Sequence, residues 1–183
     1  MLVLCFPISL VAQDNKVSIV ASLDDDQQIL SIQQDIIFYN TSKDTLREIF
    51  LHNWPNAYKN NKTPLSNRLI KDYNKSLYFA KPEDRGETTI LNFSVDYESV
   101  DVHTVSNQID IVRAPLKKGL LPQDSVRLSA TYKVKIPKDT YTKQGKTATG
   151  YHLEFWYLSP AIYSEAGWQI MSNLNLDDLY TGP

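Results

Sequence analysis

The sequence predicts a mainly β domain, antiparallel and sandwich-like, with a single helix, and three observations carry that prediction. Apolar residues alternate at period two in several segments, most regularly from Ser125 to Ile136, where Val126, Leu128, Ala130, Tyr132, Val134 and Ile136 share one face. Clusters of turn residues separate these segments at short intervals. Only one stretch, about residues 64 to 80, has helical spacing. Many strands, short turns and one helix make an antiparallel β fold.

In chain order, Lys16 to Leu23 reads as a short extended run closed by a turn at Asp24-Asp25-Asp26. Leu30, Ile32, Ile36 and Phe38 mark the buried face of a strand over Ile29 to Tyr39, interrupted by Gln34. Asn40 to Asp44 is turn chemistry, in which short polar side chains bond their own backbone. From Thr45 the next strand sets Leu46, Phe50 and Trp54 on one face and Ile49 and Leu51 on the other, and Pro55 ends it. The helix follows: Leu65, Leu69, Tyr73 and Leu77 recur every four residues, behind a Thr63 cap and Pro64 at its first position. Pro82 to Gly86 is a loop, and strands resume at Thr88 to Tyr97, Asn107 to Val112 and Ser125 to Ile136. Pro115 and Lys118-Gly119 are expected to frame the turn before the last of these. Thr140 to Gly150 reads as a polar loop.

With 183 residues, the chain suits one domain with a substantial core. A net charge of -2 without a basic patch points away from nucleic acid. Apolar runs fall short of the roughly 18 to 20 residues of a membrane span. Residues 1–13 form an apolar run ending in Ala12-Gln13 before polar Asp14, the pattern of a secretion signal. The basic segment that precedes such a core is missing, so the start is expected upstream. The only cysteine, Cys5, lies inside that run, which leaves the mature chain without a thiolate site or a disulfide. Export without cysteines suggests a bacterial envelope or secreted protein, periplasmic or at the cell surface. Residues 14–183 then form a single domain.

The residues for a reaction are not assembled in any recognisable motif. His52, His103 and His152 lie about fifty residues apart, and strand or surface roles suit them better than metal ligation. H-E-x-x-H, G-x-S-x-G and phosphate-binding glycine loops are absent from the sequence. Asp24-Asp25-Asp26 reads as a solvated turn, and Asp177-Asp178 as a turn or helix-start pair. Accordingly no catalytic, cofactor-binding or metal-ligating residue is assigned. The conspicuous feature is an aromatic-rich segment, Tyr151 to Tyr180, holding two of the three tryptophans. Trp156, Tyr157 and Trp168 are its candidate interdomain or cleft-facing residues. With Trp54, Tyr58, Tyr73 and Tyr78 they would also suit a sugar-stacking platform, although packing is the commoner use of such rings.

Two blocks carry a resemblance. One is LHNWPNAYKNNKTPLSNRL, Leu51 to Leu69; the other comprises FWYLSPAIY (Phe155 to Tyr163), GWQ (Gly167 to Gln169) and NLDDLY (Asn175 to Tyr180). Between them lie a DRG step (Asp84 to Gly86), APL (Ala114 to Leu116) and YKVKIP (Tyr132 to Pro137). This layout resembles the N-terminal domain of bacterial aminopeptidase-N-like zinc metallopeptidases of the gluzincin group, over about Val17 to Tyr180. The resemblance implies a saddle-shaped β domain without catalytic residues, preceding a domain that carries H-E-x-x-H, a further glutamate ligand and G-x-M-E-N. Zinc and peptide substrate would belong to that downstream domain, which would be the chain's partner. The family pattern continues into further strands, so the β domain is expected to be incomplete at Pro183. The competing expectation is a stand-alone envelope β-sandwich that binds carbohydrate or a protein.

Overall fold

The computed structural model describes residues 14–138, 141, 142 and 144–175, and the fold is mainly β, as the alternation predicts. The signal-like run and Asp177-Asp178 lie outside the described residues. The first sheet has the order β1-β2-β8-β4-β5, from Lys16–Asp24 (β1), Ile29–Tyr39 (β2), Ser125–Lys135 (β8), Glu87–Val95 (β4) and Glu98–Ser99 (β5). The second sheet runs β11-β3-β7-β6, from Ser159–Pro160 (β11), Leu46–His52 (β3), Gln108–Leu120 (β7) and His103–Val105 (β6). Two small antiparallel pairs complete it: β9 (Gln144–Lys146) with β10 (Tyr151–Leu153), and β12 (Ile162–Ser164) with β13 (Gly167–Gln169).

The sheets share one core. Leu30, Ile32, Ile36 and Phe38 of β2 and Val126, Leu128, Tyr132 and Val134 of β8 pack with Leu46, Ile49 and Leu51 of β3 and with Val112 and Ala114 of β7. Burial of such alternate positions is the main driving force of the sandwich.

Three expectations are corrected. Leu46 shares the core with Ile49 and Leu51, rather than facing the opposite side with Phe50, because the β3–β7 register breaks between Leu46 and Glu48. A register break resets which side successive residues face. The same irregularity lets β7 run on through Pro115, where the sequence predicts a turn; a proline is tolerated in a strand at such a bulge. The polar loop of residues 140 to 150 contains β9, paired with β10.

The helix also differs from its periodicity. It is two helices, α1 (Pro64–Lys71) and α2 (Ser76–Phe79). Thr63 caps α1 through its side chain, which accepts from the Ser66 N–H at 3.2 Å. At the other end the Tyr73 N–H donates to Ile70 O (3.0 Å) and the Asn74 N–H to Leu69 O (2.9 Å), the paired bonds of a Schellman stop. Tyr73 holds the left-handed position, φ 60°, usually taken by glycine. Leu65, Leu69 and Leu77 are buried beneath, whereas Tyr73 is 94% exposed. The four-residue repeat thus includes one residue that terminates the helix.

The DRG step is a close passage of chain. A Cβ on Gly86 would meet Pro137 Cγ and Cδ at 2.8 Å and Lys135 O at 2.9 Å, all of them stiff groups. Gly86→Ala is therefore expected to destabilise the domain by about 1–3 kcal/mol, read from urea midpoints. A change below about 0.5 kcal/mol, the range of ordinary surface substitutions, would show that the passage relaxes freely.

Candidate functional site

The turn after β3 is where the described polar and aromatic groups concentrate. Leu51 and His52 end the strand, Pro55 lacks an N–H for further pairing, and Trp54–Tyr58 close into a single 3-10 turn. Trp54, Asn56 and Tyr58 are all buried in it. The turn has two sides.

Its aromatic side meets the closing segment. The Trp54 indole N–H donates to Met171 O at 2.9 Å, and Phe155 sits edge-on to Trp54 with centroids 4.8 Å apart. Phe155 holds φ 50°, uncommon for a bulky residue and a local strain that its surroundings must over-determine. Tyr58 and Thr142 share a short hydroxyl–hydroxyl hydrogen bond. Between Trp54, Tyr58, Glu154, Phe155 and Ser172 remains a crevice of about 30 Å³, room for a water rather than a substrate.

Its amide side faces a wider polar cleft of about 380 Å³ lined by Asn53, Asn56, Thr88, Asn92, Asp101 and His103, among others. Asn53 Oδ1 accepts from the Thr88 hydroxyl at 2.7 Å, and Asn56 Nδ2 donates to Ile109 O at 2.6 Å. Lys59 pairs with Glu87 at 3.0 Å on its rim.

Buried polar side chains hold the closing segment in place. Gln34, in the middle of the apolar face of β2, donates from Nε2 to Leu158 O at 2.7 Å. Its Oε1 accepts from the Tyr132 hydroxyl (2.5 Å) and from the Leu158 N–H (3.3 Å). Burial pushes the Tyr132 hydroxyl well above the ordinary tyrosine range. Asp110 on β7 is fully buried and accepts from the Ser172 hydroxyl (2.9 Å) and the Asn173 N–H (2.7 Å). Burial raises its carboxyl above the usual range, while these donors pull the other way. His52 is buried, and its Nε2 accepts from the Met171 N–H at 3.4 Å. Burial depresses the imidazole to about 4, against a smaller raising by a backbone hydrogen bond with Gln169.

The candidate residues of the closing segment separate. Trp168, on β13, is half-buried against Phe38 (5.9 Å), Phe50 (5.6 Å) and Tyr163 (5.2 Å between centroids). Trp156 and Tyr157 stack edge to face at 5.6 Å, and Trp156 packs on the main core. Buried Trp54 and Tyr58 and exposed Tyr73 do not form one sugar platform. His152 pairs with Glu154 at 3.1 Å on the surface, and His103 is exposed. Among the described residues, no group of three or more His, Cys, Asp or Glu gathers as a metal site would, and no helix is long and apolar enough to cross a membrane. Sequence reasoning does not single out Asp110 or Gln34 as functional positions. The available signal is a polar residue inside each apolar run, ILSIQQDIIF and IDIV.

No protein-family model matches the chain, and no curated protein matches it.

Proposed function

We propose that this chain is the accessory β domain of an exported zinc metallopeptidase of the aminopeptidase-N-like group, bordering and covering one side of a substrate cleft. The supporting observation is spatial. Described parts of the two sequence blocks behind the resemblance, about a hundred residues apart in sequence, meet at the end of β3 and the turn after it. Leu51 pairs with Pro160 and His52 with Ser159, Ala161 N–H donates to Phe50 O at 2.8 Å, and Phe155 packs on Trp54. A face whose aromatic groups are already pinned loses little entropy when another domain or a substrate settles on it. Beside a catalytic cleft it would exclude water and limit substrate size. Zinc, the reacting water and the scissile peptide belong to the downstream domain in this reading, and the chain alone hydrolyses nothing.

The test begins with the gene beyond the Pro183 codon. An H-E-x-x-H motif within a few hundred codons, followed by a further glutamate, is the expected finding, and an in-frame stop would overturn the reading. In the full-length protein Phe155→Ala should raise KM for oligopeptides about three- to tenfold, with little change for a single amino-acid amide, since short substrates do not reach the covering face. Equal KM for both, unchanged from wild type, would remove the cleft role.

A second reading rests on the polar cleft. Its amides, Asp101 and His103 suit a hydroxyl-rich ligand, as a stand-alone envelope binding module would require. A stop codon after Pro183 together with retention on a polysaccharide resin would favour it.

A further inference from the structure

The edge strand β1 is long and little protected. It pairs with β2 along nine residues, and among the described residues its other side has no backbone partner. Val17, Ile19, Ala21 and Leu23 lie opposite Ile36, Gln34, Ile32 and Leu30 of β2, and so point to the core side of the sheet. The four β2 partners are buried or nearly so, yet only Ile19 of the β1 set is even partly covered. Val17 and Leu23 are each 43% exposed, and Val20, on the opposite face, is 68% exposed. Natural edges are usually blunted by an inward charge, a proline, a bulge or shortness, and β1 has none of these.

The sequence KVSIVASLD has a further property: it is complementary to itself in the antiparallel sense. With a two-fold axis through Val20, Lys16 falls opposite Asp24 of a second copy, Val17 opposite Leu23, Ser18 opposite Ser22, and Ile19 opposite Ala21. Each apolar core-side residue meets an apolar one, each serine meets a serine, and both ends close with opposite charges. Cross-strand pairs of this kind are the unit of sheet stabilisation. The axis stands perpendicular to the sheet, so the two uncovered apolar stripes adjoin on the same face.

We propose that β1 is a homodimerisation edge, and that two copies of this chain join β1 to β1 in antiparallel register into one continuous ten-stranded sheet. Such an interface is isologous, as closed two-fold dimers require. It depends on the β1 sequence alone, so its failure would leave the accessory-domain reading untouched.

Sedimentation equilibrium of the 183-residue chain across a wide concentration range tests this. Reversible dimerisation is expected. Lys16→Asp sets a carboxylate against Asp24 at both ends and should raise the dissociation constant roughly tenfold, two cross-strand pairs having changed sign. The double swap Lys16→Asp, Asp24→Lys restores opposite charges and should recover most of the affinity. An equimolar mixture of Lys16→Asp and Asp24→Lys chains should pair preferentially with each other. Circular dichroism and melting check that each variant folds, which matters most for Asp24→Lys, since Asp24 also accepts from the Gln27 N–H. A wild-type chain that stays monomeric throughout overturns the proposal. So does a dimer indifferent to Lys16→Asp, which would mean that another segment or surface makes the contact.

Discussion

Gln34→Ala is expected to cost the fold about 3 kcal/mol, because one side chain serves three buried groups at once. Its amide donates to Leu158 O and its carbonyl accepts from the Leu158 N–H and the Tyr132 hydroxyl. All of this happens in a core whose neighbours are Ile32, Ile36 and Leu128. Alanine would leave Leu158 O and the Tyr132 proton without partners and open a cavity at the centre of β2. Tyr132→Phe removes less, about 1–2 kcal/mol, since Gln34 still bonds the Leu158 backbone. The pair should be non-additive, because Gln34 Oε1 and the Tyr132 hydroxyl both accept from the Leu158 N–H (3.3 and 3.1 Å): either one alone still serves it, and only the double variant leaves it without a partner. A double-mutant cycle in urea should return a coupling of about 1–2 kcal/mol. Additivity within about 0.3 kcal/mol would show that water replaces the network at no cost.

This network also explains how legible the chain is. β2 and β8 can be read from their alternation because each buries one face against a single core, and period two survives wherever a strand is straight and half covered. Gln34 looks like an interruption of that pattern, and it is where the core reaches out to hold Leu158. β7 reads too short in sequence because Pro115 forbids ordinary pairing, and only the partner strand shows that a bulge absorbs it. The helix break at Tyr73 is hidden for a related reason. Its stop is made by backbone bonds with a tyrosine at the position where glycine would have announced it. The closing segment is least legible of all. Its strands are two or three residues long and are held by Gln34, His52 and Asp110, each more than sixty positions distant in sequence. Local propensity carries no trace of such bonds. The aromatic content of the segment is visible in the sequence, whereas its division among Trp54–Phe155, Trp156–Tyr157 and the Trp168 cluster depends on those long-range anchors.

Acidification should loosen the same segment through His52. The imidazole is buried and neutral, with a folded-state value of about 4 against 6.5 when free. Between those values the unfolded chain binds a proton that the folded chain refuses, so stability falls as pH drops through this window. The stabilisation is complete above about 6.5 and lost by about pH 4, a change of about 3 kcal/mol for a shift of this size. Asp110 acts in the opposite sense. Its carboxyl is raised by burial, so the neutral form suits the fold, and its contribution is present at low pH and lost as pH rises through its folded value. The two groups can be separated with His52→Gln, which cannot take up the proton. Wild type should lose about 3 kcal/mol in urea denaturation between about pH 7 and pH 4, offset in part by Asp110, and the variant should lose far less. The two proteins losing stability equally would remove His52 as the source. Hydrogen exchange adds where the fold opens. Protonated Nε2 becomes a donor and can no longer accept from the Met171 N–H, so the Met171 amide and the Asn173 amide beyond it should lose protection before those of β2 and β8. Release there would free the Trp54–Phe155 face at a pH that leaves the sandwich core intact, because the buried faces of β2 and β8 are held by apolar contacts that do not titrate, and the Ser129 and Arg127 donors hold the Asp35 carboxyl on their other face below its usual range.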